Sequence, residues 1–197
     1  MGTAGPCTYY PYYSPRGGGE IGAGMTCRFC FSSNTKMNVL RDSHEYEISA
    51  SEIKKGDLVL TLNGAEKVFT KVKENIKNEG VFQFYIFKMR DEKTNVKSLA
   101  VTGNHMMIVF GKDKNDIKLK FACQLKVGDL LRTKNGFCEI FDVETKMMYD
   151  SYQITAENGT ILADDVLVST IYQKEGQFRK ESMKILDSAK IPIETKN

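Results

Sequence analysis

A short pattern that occurs twice constrains the fold of this chain more than any other feature. The segment IKKGDLVLT at residues 53–61 is repeated as LKVGDLLRT at residues 125–133, an offset of 72 residues. An Asn-Gly pair follows each copy at the same distance, and a strand-like segment follows each pair, around residues 68–72 and 139–143. Similarity at a fixed offset indicates duplicated structural units. We therefore predict two related halves.

Short apolar runs separated by turn residues predict that the chain is an all-β protein. The runs are rich in β-branched and aromatic residues and lie at residues 58–60, 81–87, 99–102, 106–110 and 165–169. Asn-Gly pairs between such runs are a strong hairpin signal, and further turn residues separate the other runs. Many short strands with frequent turns are typical of all-β domains.

Composition excludes several classes of protein. The 28 basic and 25 acidic residues nearly balance, which is not typical of a nucleic-acid-binding protein. No apolar run is long enough to span a membrane. Five cysteines and two histidines do not have the spacing of a zinc site. We expect no metal, no cofactor, no nucleic-acid partner and no membrane span, and we expect a monomer.

The two ends of the chain differ from its middle. Three of the four prolines and seven of the sixteen glycines lie in the first 26 residues, which predicts a flexible leader. Apolar residues at helical spacing predict a short helix that ends before Ile191-Pro192; they are Phe178, Ile185, Leu186 and Ala189. We divide the chain into a leader at 1–29, a β domain at 30–174 and a helical tail at 175–197.

Cys30 lies where the leader gives way to the domain. A cysteine that begins a folded domain can attack the carbonyl of its own preceding peptide bond, here that of Phe29. The amide becomes a thioester and its nitrogen becomes a new N-terminus. The reaction requires a protonated leaving nitrogen and a stabilised oxyanion. A lone cysteine is equally compatible with a small buried apolar residue.

Thr102 and His105 lie three residues apart between two strand-like runs. In a tight turn both side chains can converge on one amide, and the histidine can donate a proton to the leaving nitrogen. Each residue taken alone is also compatible with a structural role in the core.

Taken together, these features resemble the Hint superfamily, which comprises the self-processing domains of hedgehog proteins and inteins. The Cys30-Phe31 start resembles the N-terminal block of the family, and residues 99–105 resemble its Thr-x-x-His block. Residues 48–60, 122–131, 154–161 and 166–169 resemble further blocks in order, and the last two resemble the end of the hedgehog-type (Hog) domain. The resemblance implies a horseshoe-like Hint fold of two pseudo-symmetric halves, which accounts for the repeat.

The resemblance implies single-turnover autocatalysis. Cys30 would attack the carbonyl of Phe29 in an N-to-S acyl shift, while Thr102 and His105 would activate the peptide bond. The thioester would then pass to water, a thiol, or a lipid or sterol-like nucleophile, and the N-terminal segment would be released. Protein splicing is not expected, because the chain lacks the His-Asn end that inteins use. The alternative is an inactive Hint-like domain with a binding or structural role.

Several positions depart from the hedgehog pattern. Phe29 replaces the glycine before the nucleophile, Thr170 replaces a cysteine, and Lys77, between Glu74 and Glu79, falls near the aspartate that activates the sterol. Other carboxylates that could act as second-step bases are expected on solvated loops; they are Asp142, Asp150, Asp164 and Asp165.

The spacing of Cys27 and Cys30 is that of a redox pair, which would mask the nucleophile as a disulfide, although one such spacing also arises by coincidence. The first residues lack the basic and apolar regions of a signal peptide. Because hedgehog-like relatives are secreted, we expect this domain to be secreted as part of a longer precursor.

Overall fold

The computed structural model describes residues 30–171 and 185–190. These residues contain eleven antiparallel strands. The strands are β1 Lys36–Arg41, β2 His44–Ser49, β3 Leu58–Asn63, β4 Glu66–Asp91, β5 Val96–Thr102, β6 Met106–Phe110, β7 Ile117–Phe121, β8 Leu130–Thr133, β9 Gly136–Ala156, β10 Thr160–Ala163 and β11 Val166–Ser169. Two 3-10 helices lie at Ala50–Glu52 and Ala122–Gln124, and residues 185–189 form a short helix. The leader and most of the predicted tail helix lie outside the described residues.

The strands form one sheet that follows the order β10-β11-β6-β8-β9-β4-β3-β1-β2, with β5 on β4 and β7 on β6. Every strand pair is antiparallel, so the prediction of an all-β domain is confirmed. The long strands β4 and β9 pair along most of their length, and bulges in this ladder allow them to bend.

The two Gly-Asp-Leu segments, at residues 56–58 and 128–130, form equivalent turns. Gly56 and Gly128 both have φ of +92°, a conformation that glycine adopts without steric penalty. Asp57 accepts the backbone N–H of Lys54 at 2.8 Å, and Asp129 accepts that of Lys126 at 3.0 Å. The predicted duplication is therefore confirmed at the level of individual hydrogen bonds.

A second pair of turns extends the duplication to residues that are not similar in sequence. The backbone N–H of Thr35 donates to the Ser32 carbonyl at 3.2 Å, and that of His105 donates to the Thr102 carbonyl at 2.9 Å. Each turn then accepts the first N–H of a 3-10 helix, at 2.8 Å in both halves. Thr35 thus holds, in the first half, the place that His105 holds in the second.

The pseudo-twofold axis passes between Phe31 and Val101. These two residues form an antiparallel bridge with each other. Phe31 also pairs with Tyr152 on β9, and Val101 pairs in the same way with Tyr85 on β4. Phe31 and Val101 are both fully buried, so the segment that follows Cys30 is fixed at the centre of the molecule.

Two apolar clusters stabilise this arrangement. The larger cluster surrounds Phe31 and contains Phe87, Met89 and Ile154. The smaller cluster includes Leu60 and Leu62 together with Ile185 and Ala189 from the short helix. Helical spacing therefore correctly predicted a helix with an apolar face over its described residues, 185–189.

Candidate functional site

Cys30 lies at the centre of the molecule, where both its backbone N–H and its backbone carbonyl form hydrogen bonds with Thr102. The Cys30 N–H donates to Thr102 Oγ1 at 2.9 Å, and the Cys30 carbonyl accepts the Thr102 N–H at 3.0 Å. Both residues are buried, and Cys30 is a free thiol. The structure therefore brings together the first two residues that the sequence singled out. Phe29, whose carbonyl the sequence analysis expects Cys30 to attack, lies outside the described residues.

His105 is completely buried. Its Nε2 lies 3.0 Å from the carbonyl oxygen of Ser169, and its ring meets the ring of Phe31 edge to face at 4.7 Å. Because a carbonyl oxygen only accepts hydrogen bonds, Nε2 carries the hydrogen and Nδ1 carries the lone pair of the neutral ring. Ser169 ends β11, so the last strand among the described residues orients this histidine.

Burial also sets the charge of the histidine. It lowers the pKa of His105 from 6.5 to about 4, although the backbones of Ser169 and Cys30 offset part of the shift. The imidazole is therefore neutral at pH 7. A neutral imidazole must accept a proton before it can donate one.

Asn78 is a site residue that the sequence analysis missed. Its Nδ2 lies 3.5 Å from the sulfur of Cys30. Lys77 was expected near the position of the aspartate that activates the sterol in hedgehog proteins, but alternation along β4 directs Lys77 to the face opposite Asn78. There Lys77 forms ion pairs with Asp150 at 3.0 Å and with Glu79 at 3.5 Å. Moving the expected position by one residue along the chain, from Lys77 to its neighbour, would have identified Asn78.

Two buried polar side chains lie on the same face of the sheet as Asn78. Ser151 is opposite Asn78 in the ladder, and Gln153 is two residues further along β9. Because Phe31 pairs with Tyr152, Cys30 is the cross-strand neighbour of Gln153. Within the described residues, Ser151 Oγ and Gln153 Oε1 are buried without a hydrogen-bond partner. Buried polar groups are normally bonded, so these atoms have capacity for a further partner.

The carboxylates expected on solvated loops have different positions. Asp142 and Asp150 lie within β9, where they pair with Lys88 and Lys77 at 3.0 Å each, so that expectation was wrong for both. Asp165 pairs with Lys97 at 2.7 Å in the turn between β10 and β11. Its neighbour Asp164 accepts the backbone N–H of Lys36 at 2.9 Å, and burial raises the pKa of Asp164 to about 6.

The cysteines differ in their chemical state. Cys30 and Cys138 are free thiols, whereas Cys123 is in a disulfide. A disulfide between Cys27 and Cys30 is therefore not what the structure has. Burial raises the pKa of Cys138 to about 12, so this second free thiol is unreactive at neutral pH.

The described residues contain no group of three or more His, Cys, Asp or Glu side chains that could hold a metal ion. Within the same residues, no helix is long and apolar enough to cross a membrane.

Comparison with known proteins gives a match at the level of the fold. Neither family models nor curated proteins match the sequence. Among solved structures, the chain is similar to the gp41-1 intein, with a TM-score of 0.53 and 18% identity over 72% of this chain and 98% of the intein. An intein from a hyperthermophile has a TM-score of 0.59 and 14% identity, covering 72% of this chain and 99% of that one.

A bacterial intein-like domain from Clostridium thermocellum has a TM-score of 0.55 and 18% identity, covering 73% of this chain and 99% of that domain. The similarity spans nearly the whole length of each of these structures. The chain has the Hint fold, the fold of inteins and intein-like domains.

Proposed function

We propose that this protein is a self-cleaving domain in which Cys30 attacks the carbonyl carbon of Phe29. One observation carries the proposal: the nitrogen that must leave, Cys30 N, donates its hydrogen to Thr102 Oγ1 at 2.9 Å. That nitrogen therefore has an oriented partner before reaction begins. Holding the reacting groups in one geometry removes much of the entropic barrier to the attack.

The first step is an N-to-S acyl shift. The sulfur of Cys30 bonds to the Phe29 carbonyl carbon, the bond from that carbon to Cys30 N breaks, and the thiol proton ends on the nitrogen. His105 is neutral because burial lowers its pKa to about 4. We propose that it accepts the thiol proton and then delivers it to the leaving amine. The Nε2 hydrogen bond to the Ser169 carbonyl holds the ring in one orientation during this transfer.

The second step transfers the acyl group from Cys30 to an acceptor. Ser151 Oγ and Gln153 Oε1 lie on the face of the sheet that carries the Cys30 side chain, and Asn78 Nδ2 lies 3.5 Å from its sulfur. These neutral groups are suited to orient an incoming nucleophile. We propose water, a thiol, or a lipid or sterol-like hydroxyl as the acceptor class.

The finer assignment within the fold family is also a proposal. The sequence resemblance to the hedgehog-type domain at residues 154–161 and 166–169 supports hedgehog-like cleavage without splicing. On this basis we propose that the N-terminal segment is the substrate and that the domain acts once. We further propose that it belongs to a secreted precursor.

The test is cleavage by an added nucleophile. Hydroxylamine attacks thioesters, so it should divide the native chain between Phe29 and Cys30, as followed by intact mass. The Cys30→Ala variant should remain whole. Cys138→Ala is the matched control, because it removes the other free buried thiol and should cleave like the native chain.

If the native chain remains whole while it is folded, self-cleavage is refuted in favour of the alternative, an inactive Hint-like domain with a binding or structural role. If Cys138→Ala loses cleavage and Cys30→Ala does not, the nucleophile is misassigned.

A further inference from the structure

Arg132 is an arginine buried beside the smaller apolar cluster. It lies on β8 and is only 7% exposed. Within the described residues, its Nε and Nη1 atoms are buried without a hydrogen-bond partner. Burial also lowers the pKa of Arg132, because the charge has lost water without gaining an anion. An arginine nevertheless stays charged, and a buried charge is costly unless it is paired. Arg132 therefore has capacity for an anionic partner.

The duplication shows that the fold does not require an arginine at this position. The offset of 72 residues makes Leu60 the counterpart of Arg132. Leu60 is 3% exposed and belongs to the smaller apolar cluster. Equivalent positions thus carry an apolar side chain in one half and a charged side chain in the other. The charge at position 132 is a feature that the duplicated backbone does not need.

A cavity of about 290 Å³ lies beside Arg132. It is lined by Thr133, which follows the arginine in the chain, and by Phe137, which is opposite the arginine in the β8–β9 ladder. The Cζ atom of Arg132 is 5.8 Å from the centre of the Phe137 ring. The guanidinium group and the cavity therefore have this ring as a common neighbour. Ligand pockets usually measure roughly 300–1,000 Å³, so the cavity suits a small molecule.

The other charges around the cavity compensate one another. Asp91 and Lys93 both line it, and the Asp91 carboxylate accepts the Lys93 backbone N–H at 2.9 Å. Three ion pairs of 2.7, 3.3 and 2.9 Å each have a member that lines the cavity; they are Lys97–Asp165, Lys134–Glu45 and Lys114–Glu92. Among the described residues around the cavity, the charge that lacks an opposite partner is that of Arg132.

This arrangement favours a carboxylate as the missing anion. The planar guanidinium group donates two parallel hydrogen bonds to a carboxylate, which matches its geometry. One unmatched positive charge requires a single negative charge, whereas a phosphate monoester carries about 1.5 to 2 negative charges at pH 7. The Phe137 ring offers apolar surface to the rest of such a ligand.

We propose that Arg132 and the adjoining cavity form a binding site for a small carboxylic acid. The ligand carboxylate pairs with the Arg132 guanidinium group, and the organic part of the ligand occupies the cavity against Phe137. The site shares no residue with the one around Cys30, so this proposal does not depend on self-cleavage.

Calorimetric titration with benzoate tests the site. The parent is the Cys30→Ala chain, which stays whole whether or not the native chain cleaves itself, and it should bind one benzoate saturably. Arg132→Leu introduces the side chain of the equivalent position in the first half. It should bind benzoate at least about tenfold more weakly, because a charge-assisted pair is lost. The matched control is Arg90→Leu, which removes an exposed arginine 4.8 Å from the centre of the Phe141 ring and should bind like the parent.

Equal binding by the parent and by Arg132→Leu would overturn the proposal, and so would the lack of saturable binding to the parent. Tighter binding of inorganic phosphate than of benzoate would refute the carboxylate class. Urea unfolding without ligand is a second test. Arg132→Leu should leave the urea midpoint unchanged or raise it, because it removes a buried charge that has no anion. A lower midpoint would show that the chain itself pairs this charge, which would also overturn the proposal.

Discussion

The burial of His105 predicts a specific loss of stability in acid. The neutral ring is favoured in the folded protein, because burial lowers the pKa of His105 from 6.5 to about 4. The stabilising contribution is therefore complete above about pH 6.5 and is lost as the pH falls towards about 4. At 1.36 kcal/mol per pKa unit, the contribution is about 3 kcal/mol.

Asp164 opposes this effect over nearly the same pH range. Burial raises the pKa of Asp164 from 3.8 to about 6, so its contribution is complete below about pH 3.8 and is lost as the pH rises through about 6. Its magnitude is again about 3 kcal/mol. The free energy of unfolding of the native protein can therefore change little with pH, even though the contributions of His105 and Asp164 both change over this range.

The measurement is consequently a difference between variants. In a Cys30→Ala background, urea unfolding followed by circular dichroism suits a chain without tryptophan. The destabilisation caused by His105→Gln should be about 3 kcal/mol smaller at pH 4 than at pH 7.5, because the parent loses the contribution in acid. The destabilisation caused by Asp164→Asn, by contrast, should be larger at pH 4 than at pH 7.5. A His105→Gln difference that is constant across this range would refute the argument that burial depresses the histidine pKa.

Three further predictions concern the nucleophile and the duplicated turns. Thr102→Val removes the acceptor of the leaving N–H and should slow hydroxylamine cleavage on the order of 10- to 100-fold. The control Thr61→Val removes another buried hydroxyl, which forms a 2.8 Å hydrogen bond with Thr160, and should leave the rate unchanged. Asn78→Asp places a carboxylate beside the nucleophilic sulfur and should move the pH–rate profile for cleavage to higher pH; an unmoved profile would exclude contact between them in the reacting state. Gly56→Ala and Gly128→Ala should each lower the free energy of unfolding, measured with urea, by about 1–2 kcal/mol. The cause is the backbone alone, because both positions have φ of +92° and neither new methyl would meet another atom. Unequal losses would contradict the equivalence of the two turns.

The duplicated architecture could be predicted from the sequence because its turns depend on local chemistry. A glycine at positive φ followed by an aspartate that accepts a nearby N–H leaves a recognisable pattern in both halves. The extent of β4 could not be predicted in the same way. Residues 73–80 lack the apolar alternation of a strand, and they are extended because β9 supplies their hydrogen bonds. The sequence therefore predicted two short strands where there is one.

The site was predicted only where a residue is recognisable by type. Cys30 and His105 stand out because thiols and imidazoles are scarce in this chain, and Thr102 stands out by its spacing from His105. Asn78, Ser151 and Gln153 are ordinary polar residues, and only the pairing of β4 with β9 places them on the face that Cys30 shares. That register depends on bulges in the ladder, which no local pattern specifies.

The bridge pattern of Phe31 also determines when the proposed site around Cys30 would be assembled during synthesis. Phe31 pairs with Val101 and Tyr152, and His105 is oriented by Ser169 near the far end of the domain. Contacts between distant parts of a chain form late and slowly in folding. The bond before Cys30 should therefore remain unreactive on a nascent chain until nearly the entire domain has left the ribosome. If the chain cleaves as proposed, this long-range pairing would delay cleavage until the protein is complete.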